Sequence, residues 1–597
     1  MQKQEKGTGP FFGQIKSLCG ALLVWLLLTC HSSPATGAPG VFQDDKVFGN
    51  KPLAASNMTA FSPVFGNILT TNPVLIPNPS PGGGPVNDAS PPAPEEAPFI
   101  YPAETIYDDT NALDFLSAAG VADDSARRDM ILAVIDCKAA GLWTNLVDLL
   151  AFEPRYNPRK HLSLLGRPWS FTNEVWSERG TGELRATNFI SYTLPVSLTN
   201  YTLCVFYREN AAGLDSYDGT AAHNNLAELR SSADGSCTLL TTWAIWGGTR
   251  VWTSAGTNFT YWQDHLNVTS NRVDTLLSGA AGGGAVAATI TPNLFCVGYS
   301  NGAISVSVNG NPAFLGLNNY VTNKLKMLAN SAAVDQLLIG GGDTNWLNLG
   351  CSNTYGATIM NAMVFNCPLS RKVSACAMRM ATDLEPFNEA VEFAGSSILN
   401  DQAAANGGTV GAPLTNSIAW IDEQQNSGRL VFQSASPGSR LLDWPNCNAT
   451  VPATAYVPVL TYLNPAKYTI RRFITDGPRN DAFGGVPIND SVARFDKFCR
   501  PLLAQGIKVE LVQTPWSYGS SAGQNQNWIE TCRAVRANFP LSNFYPFADM
   551  VTSNILAAAS QDFPPVHPNA KNVAGYLFNA AMDDVVNGKP PNFSPSK

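Results

Sequence analysis

Charge is scarce in this 597-residue chain: Asp, Glu, Lys and Arg make up 14% of it, against about 25% in an average soluble domain. Positive charge is the scarcer sign, with 38 Lys and Arg against 46 Asp and Glu, a net charge of −8. A nucleic-acid surface needs clustered cations to neutralise phosphates, so that class of partner is excluded. Histidine is scarcer still: His31, His161, His223, His265 and His567 are all there is. No CxxC pair or His/Cys cluster has zinc spacing, and no dense Asp/Asn loop suits calcium. No metal and no cofactor is expected. Past the first thirty residues no apolar run is long enough to span a bilayer, which takes about 20 residues. What is plentiful is apolar residue content, at 45%. That excludes wholesale disorder, and the length suits about three to four domains.

The N-terminus reads as an export signal over 1–38. Lys3, Lys6 and Lys16 form a positive region, Leu18 to Leu28 an apolar stretch, and small residues ending at Ala38 a cleavage site. An uncleaved signal anchor is the alternative. Removing Cys19 and Cys30 with the signal leaves ten cysteines, an even number that permits disulfides in an exported chain. Sequons at Asn57, Asn200, Asn258, Asn267, Asn448, Asn489 and Asn592 support a glycosylating host. Residues 39–100, with PNPSPGGGPVNDASPPAPEEAP, bury nothing and read as an extended spacer.

Residues 101–164 read as a small helical module. Met130, Ile131, Val134 and Ile135, then Leu142, Leu146, Leu149 and Leu150, have helical spacing, and Gly141 sits where a helix should end. Two or three short helices are expected. The pattern AAG…D…I…K.AGLW..L..L..F resembles a short helical segment of phage structural and tail-fibre-like proteins.

Residues 165–385 read as all-β. YTLCVFYREN, TTWAIWG, FTYWQDHLNVT and AISVSVNGN alternate apolar and polar residues between turns. In ISVSVNGNPA, Ile304, Val306 and Val308 share a face and NGN makes the turn. Ile339-Gly340-Gly341, Gly356, Ile359 to Phe365 and the turn Pro368-Leu369-Ser370 into a helix resemble the concanavalin A-like (laminin-G-like) family. The resemblance implies a jelly-roll sandwich with a concave, glycan-binding face. Cys351 and Cys367 bracket two strands and are candidates to pair. No E-x-D-x-E strand supplies the two facing carboxylates of a glycosidase. Trp243, Trp246, Trp252, Tyr261 and Trp262 are either sugar-stacking rings or sandwich core.

Residues 386–585 alternate strands and amphipathic helices. AVEFAGSSI, GRLVFQSAS, KYTIRRFITDG and IKVELVQTP read as strands, SVARFDKFCRPLLAQG and NWIETCRAVRANF as crossovers. That order implies a parallel sheet whose sites lie at the carboxyl ends of the strands. Four blocks stand there: Phe393 to Ile398, Ser434 to Ser439, Asp476 to Asp481, and Asp562 to Asn569. Their order resembles the SGNH (GDSL-like) hydrolases. The resemblance implies a flavodoxin-like α/β domain over 386–585, with 586–597 a tail. It makes Ser397 the nucleophile and His567 the general base, with Asp562 the acid that orients it and Asp549 a fallback. The same resemblance implies that the Ser397 N–H, Gly438 and Asn480 form the oxyanion hole.

The chain departs from the family in three places. Ser396 replaces the Asp of Gly-Asp-Ser, one extra residue separates Gly477 from Asn480, and Asp562 stands five before His567 rather than three. The expectation is an exported or virion-surface serine esterase acting on an ester of a glycan, an O-acetyl above all. The alternative is a glycan- or receptor-binding surface protein with a decayed hydrolase fold. The expected partner is a glycan or polysaccharide, and whether the chain forms a homo-oligomer is left open.

Overall fold

The computed structural model describes residues 109–158, 161–174, 176–181, 188–209, 223–233, 237–243, 248–255, 258–262, 272–273, 275–276, 291–300, 303–312, 314–315, 333–340, 357–396, 399, 422, 426, 428–435, 440–441, 457–514, 521–546 and 585–589. Two helices come first, α1 (Thr110–Ala119) and α2 (Asp124–Ala139). Each starts on an aspartate. Asp109 accepts from the N–H groups of Asn111 and Ala112 at 3.0 and 3.3 Å, and Asp123 from that of Ala126 at 2.6 Å. Gly141, with φ +62°, turns the chain just past α2, as its position in the sequence predicts.

The next stretch differs from the expected helix. Leu146–Ala151 is a strand, β1, buried along its whole length. A strand covered on both faces reads as an apolar run, and a spacing of three and four fits it as well as a helix. β1 pairs antiparallel with β18 (Ala357–Phe365), so the residues after α2 belong to a sandwich sheet.

Two antiparallel sheets form that sandwich. The six-stranded one runs β1, β18, β6 (Tyr201–Glu209), β13 (Asn293–Ser300), β14 (Ala303–Val308) and β15 (Asn311–Pro312). The eight-stranded one runs β11 (Arg272–Val273), β10 (Asn258–Trp262), β9 (Gly248–Ala255), β8 (Cys237–Trp243), β7 (His223–Arg230), β17 (Val334–Gly340), β5 (Phe189–Leu198) and β2 (Ser170–Thr172). A separate pair joins β12 (Thr275–Leu276) to β16 (Phe314–Leu315). A two-stranded hairpin, β3 (Trp176–Ser177) and β4 (Gly180–Thr181), follows β2. The β14–β15 turn places Asn309 at φ +50° and Gly310 at φ +79°, the two positive values a tight hairpin needs.

Alternation divides the six-stranded sheet between two cores. Leu203, Val205 and Tyr207 face the eight-stranded sheet with Ile190, Leu337 and Ile339. Cys204, Phe206, Leu294, Cys296, Met363 and Phe365 face the other way, into a second core. That core takes in α2, α3 (Arg371–Asp383) and one face of a parallel sheet. Cys137, Cys204, Cys296, Cys367, Cys376, Cys499 and Cys532 carry thiols. Cys351, the partner suggested for Cys367, lies outside the described residues.

The parallel sheet has the order β20 (Leu430–Gln433), β19 (Glu389–Ala394), β21 (Ile470–Thr475), β22 (Lys508–Val512), β23 (Asn543–Tyr545). Read by chain position this is 2-1-3-4-5, the flavodoxin-like order. Helices α4 (Arg479–Phe483), α5 (Ile488–Ala504) and α6 (Ala522–Asn538) follow β21 and β22. Phe495, Phe498, Cys499 and Leu502 of α5, and Trp528, Ile529, Cys532 and Val535 of α6, bury against Phe432, Phe473, Val509 and Leu511. The opposite face holds Val391, Phe393, Val431, Ile474 and Val512, covered by Leu399, Ala435, Val585 and Val586.

The carboxyl end of α3 joins these layers. Lys467 donates to the carbonyls of Glu385 (2.5 Å) and Asp383, and Tyr468 to that of Thr382 (2.5 Å). From the sandwich side Arg155 and Tyr156 donate to Leu384. Cationic donors thus meet the negative end of a helix whose last carbonyls have no partner within it. Asp129 of α2 bridges the two cations, 2.7 Å from Lys467 and 2.8 Å from Arg155.

Candidate active site

The strand order reverses between β19 and β21, and the crevice at the carboxyl ends of those strands is where such a sheet holds its ligands. Ala394, the last residue of β19, is level with Thr475, the last of β21. The residues that follow, Gly395-Ser396 and Asp476-Gly477, therefore meet. Asp476 is fully buried and holds the β19 turn with both carboxyl oxygens. Its Oδ1 accepts the Ser396 N–H at 2.6 Å, and its Oδ2 accepts the Ser396 hydroxyl at 2.5 Å. The turn comes this close only because residue 395 has no side chain. Gly395 has φ +140°, and a Cβ there would stand 2.1 Å from Asp476 Oδ1.

Behind Asp476 stands a buried relay. Thr514, after β22, donates to Asp476 Oδ2 at 3.4 Å, and Arg479 Nη1 donates to Thr514 Oγ1 at 2.6 Å. Arg479 lies over the rings of Phe483 (4.6 Å) and Trp528 (5.9 Å). Burial pulls its guanidinium down to about 10, against the charge of Asp476. Burial likewise raises the Asp476 carboxyl, against its hydrogen bonds with Ser396 and the nearby Arg479. A carboxyl that accepts three hydrogen bonds and sees one cation is a rigid anchor for the turn above it.

The neighbouring strand end is pinned in the same way. Glu392, inside β19 and fully buried, accepts the Ser434 hydroxyl at 2.6 Å and the Leu460 N–H at 3.2 Å. Gln433 donates to the Leu399 carbonyl at 2.7 Å. On the far side Asp481 accepts the Leu441 N–H at 2.6 Å and Arg494 Nη1 at 2.8 Å. Asn480, expected in the oxyanion hole, is half-buried in the short helix α4, immediately after Arg479.

Of the residues to which the sequence assigns chemistry, Ser397, Gly438, Asp562 and His567 lie outside the described residues, as does Asp549. The described framework brings together Ser396, Asp476, Thr514 and Arg479. Asp476 and Arg479 stood in a motif block, but nothing in the sequence gave them a role. Glu392 was the more legible signal. A carboxylate in the strand EAVEFA, whose neighbours are apolar on both sides, must be buried and therefore partnered. A carboxylate arriving from β21 reaches the turn after β19: Asp476 faces the Ser396 hydroxyl.

Of the aromatic residues expected to stack on sugar, Trp252 on β9 is in register with Tyr261 on β10. Trp243 ends β8, Trp262 ends β10, and Trp246 lies outside the described residues.

No protein-family model matches the chain, and no curated protein matches it. Solved structures are similar to parts of the chain. A Trypanosoma rangeli sialidase is similar at 10% identity and TM-score 0.24, over 39% of this chain and 32% of that one. The receptor-binding domain of botulinum neurotoxin type G is similar at 9% identity and TM-score 0.25, over 38% and 50%. Domain 4 of AbnA, an extracellular GH43 arabinanase from Geobacillus stearothermophilus, is similar at 12% identity and TM-score 0.24, over 39% and 98%. The chain spans 32% and 50% of the length of the first two of these.

Proposed function

We propose that the α/β layer is a serine ester hydrolase of the SGNH type and that the sandwich holds a glycan, so that the chain removes an acyl group, first of all O-acetyl, from a carbohydrate. One observation carries the reading. The Gly395–Ser396 turn is locked to the buried Asp476 where the order of a 2-1-3-4-5 sheet reverses. A locked turn at that point is what a nucleophile on the next residue requires, since a loosely held hydroxyl loses the benefit of orientation.

In this reading Ser397 Oγ attacks the ester carbonyl carbon while His567 takes its proton, with Asp562 orienting the imidazole. The Ser397 N–H, Gly438 and Asn480 receive the developing oxyanion. The sugar hydroxyl leaves with the proton from His567, and water then hydrolyses the acyl-serine. The chain is exported or displayed on a virion surface, from the leader-like residues 1–38 and the sequons.

The test is hydrolysis of p-nitrophenyl acetate by the full chain beside Ser397→Ala and His567→Ala. Turnover that both substitutions abolish supports the reading. No turnover by the folded chain overturns the hydrolase, and leaves glycan binding by the sandwich as the function.

A further inference from the structure

One edge of the sandwich carries an aromatic patch that core packing leaves unfinished. Trp169 and Phe171 belong to the sandwich core. His161 lies flat on Trp169, with ring centroids 4.4 Å apart and planes 10° apart. Trp176, at the start of the β3–β4 hairpin, tilts against both at 5.6 and 6.1 Å, and meets Phe171 edge-on at 5.1 Å. His161 and Trp176 are only half-buried. Glu174 spans them: one oxygen stands 3.6 Å from His161 Nε2, the other accepts Trp176 Nε1 at 3.4 Å. Its side chain is 49% exposed.

Two features are unlike a finished core. Trp169 is 5% exposed, and its buried Nε1 has no hydrogen-bond acceptor. An orphan donor of that kind costs free energy and is rare in a packed interior. The polar edge of the patch is also open: Glu174 keeps acceptor capacity beyond the one N–H it receives.

We infer that His161, Trp169, Glu174 and Trp176 form a subsite for a neutral pyranose, apart from the ester-cleaving crevice. The inference rests on the reading of the sandwich as the glycan-holding layer, and names the sugar class it takes. A pyranose has one face of C–H groups, which a half-exposed indole covers, and a rim of hydroxyls, which a carboxylate accepts. The sugar is neutral because of charge. His161, a cation only when protonated, is the one basic side chain in ion-pair range of Glu174 among the described residues, and Arg179 of the same hairpin is committed to Glu385 at 3.0 Å. An acidic sugar would bring a second carboxylate to Glu174 with no fixed cation to offset it.

The test is binding of the full chain to an immobilised glycan panel holding neutral and acidic saccharides, beside Trp176→Ala, Trp176→Phe and Glu174→Gln. Thermal unfolding of each variant checks its fold. Wild type should retain neutral glycans, Trp176→Ala should lose about tenfold or more in affinity, and Trp176→Phe should stay within about threefold. Glu174→Gln should weaken binding severalfold at an unchanged unfolding temperature. If Trp176→Ala fails to fold, Glu174→Gln decides. Wild-type affinity in folded Trp176→Ala, or in Glu174→Gln where Trp176→Ala does not fold, overturns the subsite and spares the glycan reading. A preference for acidic glycans also overturns it. No glycan bound by folded wild type overturns both.

Discussion

Gly395→Ala puts the candidate site under the most direct strain. The residue has φ +140°, a conformation that an L side chain adopts at a cost of about 1–3 kcal/mol. Its new Cβ would stand 2.1 Å from Asp476 Oδ1 and 3.1 Å from the Asp476 backbone nitrogen. Neither atom is a flexible tip. The carboxyl is fully buried and is held by Ser396 through two hydrogen bonds, so the strand ends must separate instead. Overpacking of that kind adds about 1–3 kcal/mol, for a total of about 2–6 kcal/mol. The assay is urea unfolding of the full chain, with amide exchange read over β19 and β21.

Asp476→Ala supplies the control. On its own it strands the Ser396 N–H and hydroxyl, at about 1–3 kcal/mol for each buried group. It also removes the oxygen that the alanine methyl would strike. The double variant should therefore lose less than the sum of the two, by about 1–3 kcal/mol. Additivity within about 0.5 kcal/mol, or a Gly395→Ala chain as stable as wild type, would refute the reasoning.

Three further outcomes follow from other buried groups. Burial, opposed by Arg429, pushes Asp422 up to about 6. The folded chain then binds a proton there before the unfolded chain does, so this group adds stability as pH falls from about 6 to about 4, by up to about 3 kcal/mol. Asp422→Asn should remove that slope from urea midpoints measured between those values, and an unchanged slope counts against the assignment. Lys467→Met should cost about 3–5 kcal/mol, since it strips the end of α3 of a cation that donates to Asp383 and Glu385. Calorimetry should show the sandwich and the parallel sheet losing stability together, and a loss confined to one of them would contradict the shared core. Arg472→Met should free residues 585–586, because Arg472 donates to the carbonyls of Val585 (2.7 Å) and Val586 (2.9 Å) while paired with Glu510. Faster amide exchange at 585–589 checks this, and unchanged protection there refutes it.

Local pattern determined most of the secondary structure. β14 and its Asn309-Gly310 turn, the parallel strands β19 to β22, and helices α5 and α6 stand where alternation, turn residues and helical spacing put them. These features depend on near neighbours, which a sequence displays directly. β1 was not legible, because Leu146, Leu149 and Leu150 have a spacing that satisfies a helix and a doubly buried strand alike, and only β18 selects the strand. The order of blocks pointed to Ser396–Ser397 as the place of chemistry. The carboxylate that holds that turn comes from Asp476, eighty residues on, and its relay through Thr514 and Arg479 crosses a third strand. Partners so distant in sequence are chosen by which strands lie side by side, and strand order is a property of the folded sheet. The same holds for the end of α3, where Arg155, Tyr156, Lys467 and Tyr468 converge on carbonyls that no local pattern marks. Composition and periodicity determined what could be buried; the tertiary structure decided which buried charges would meet.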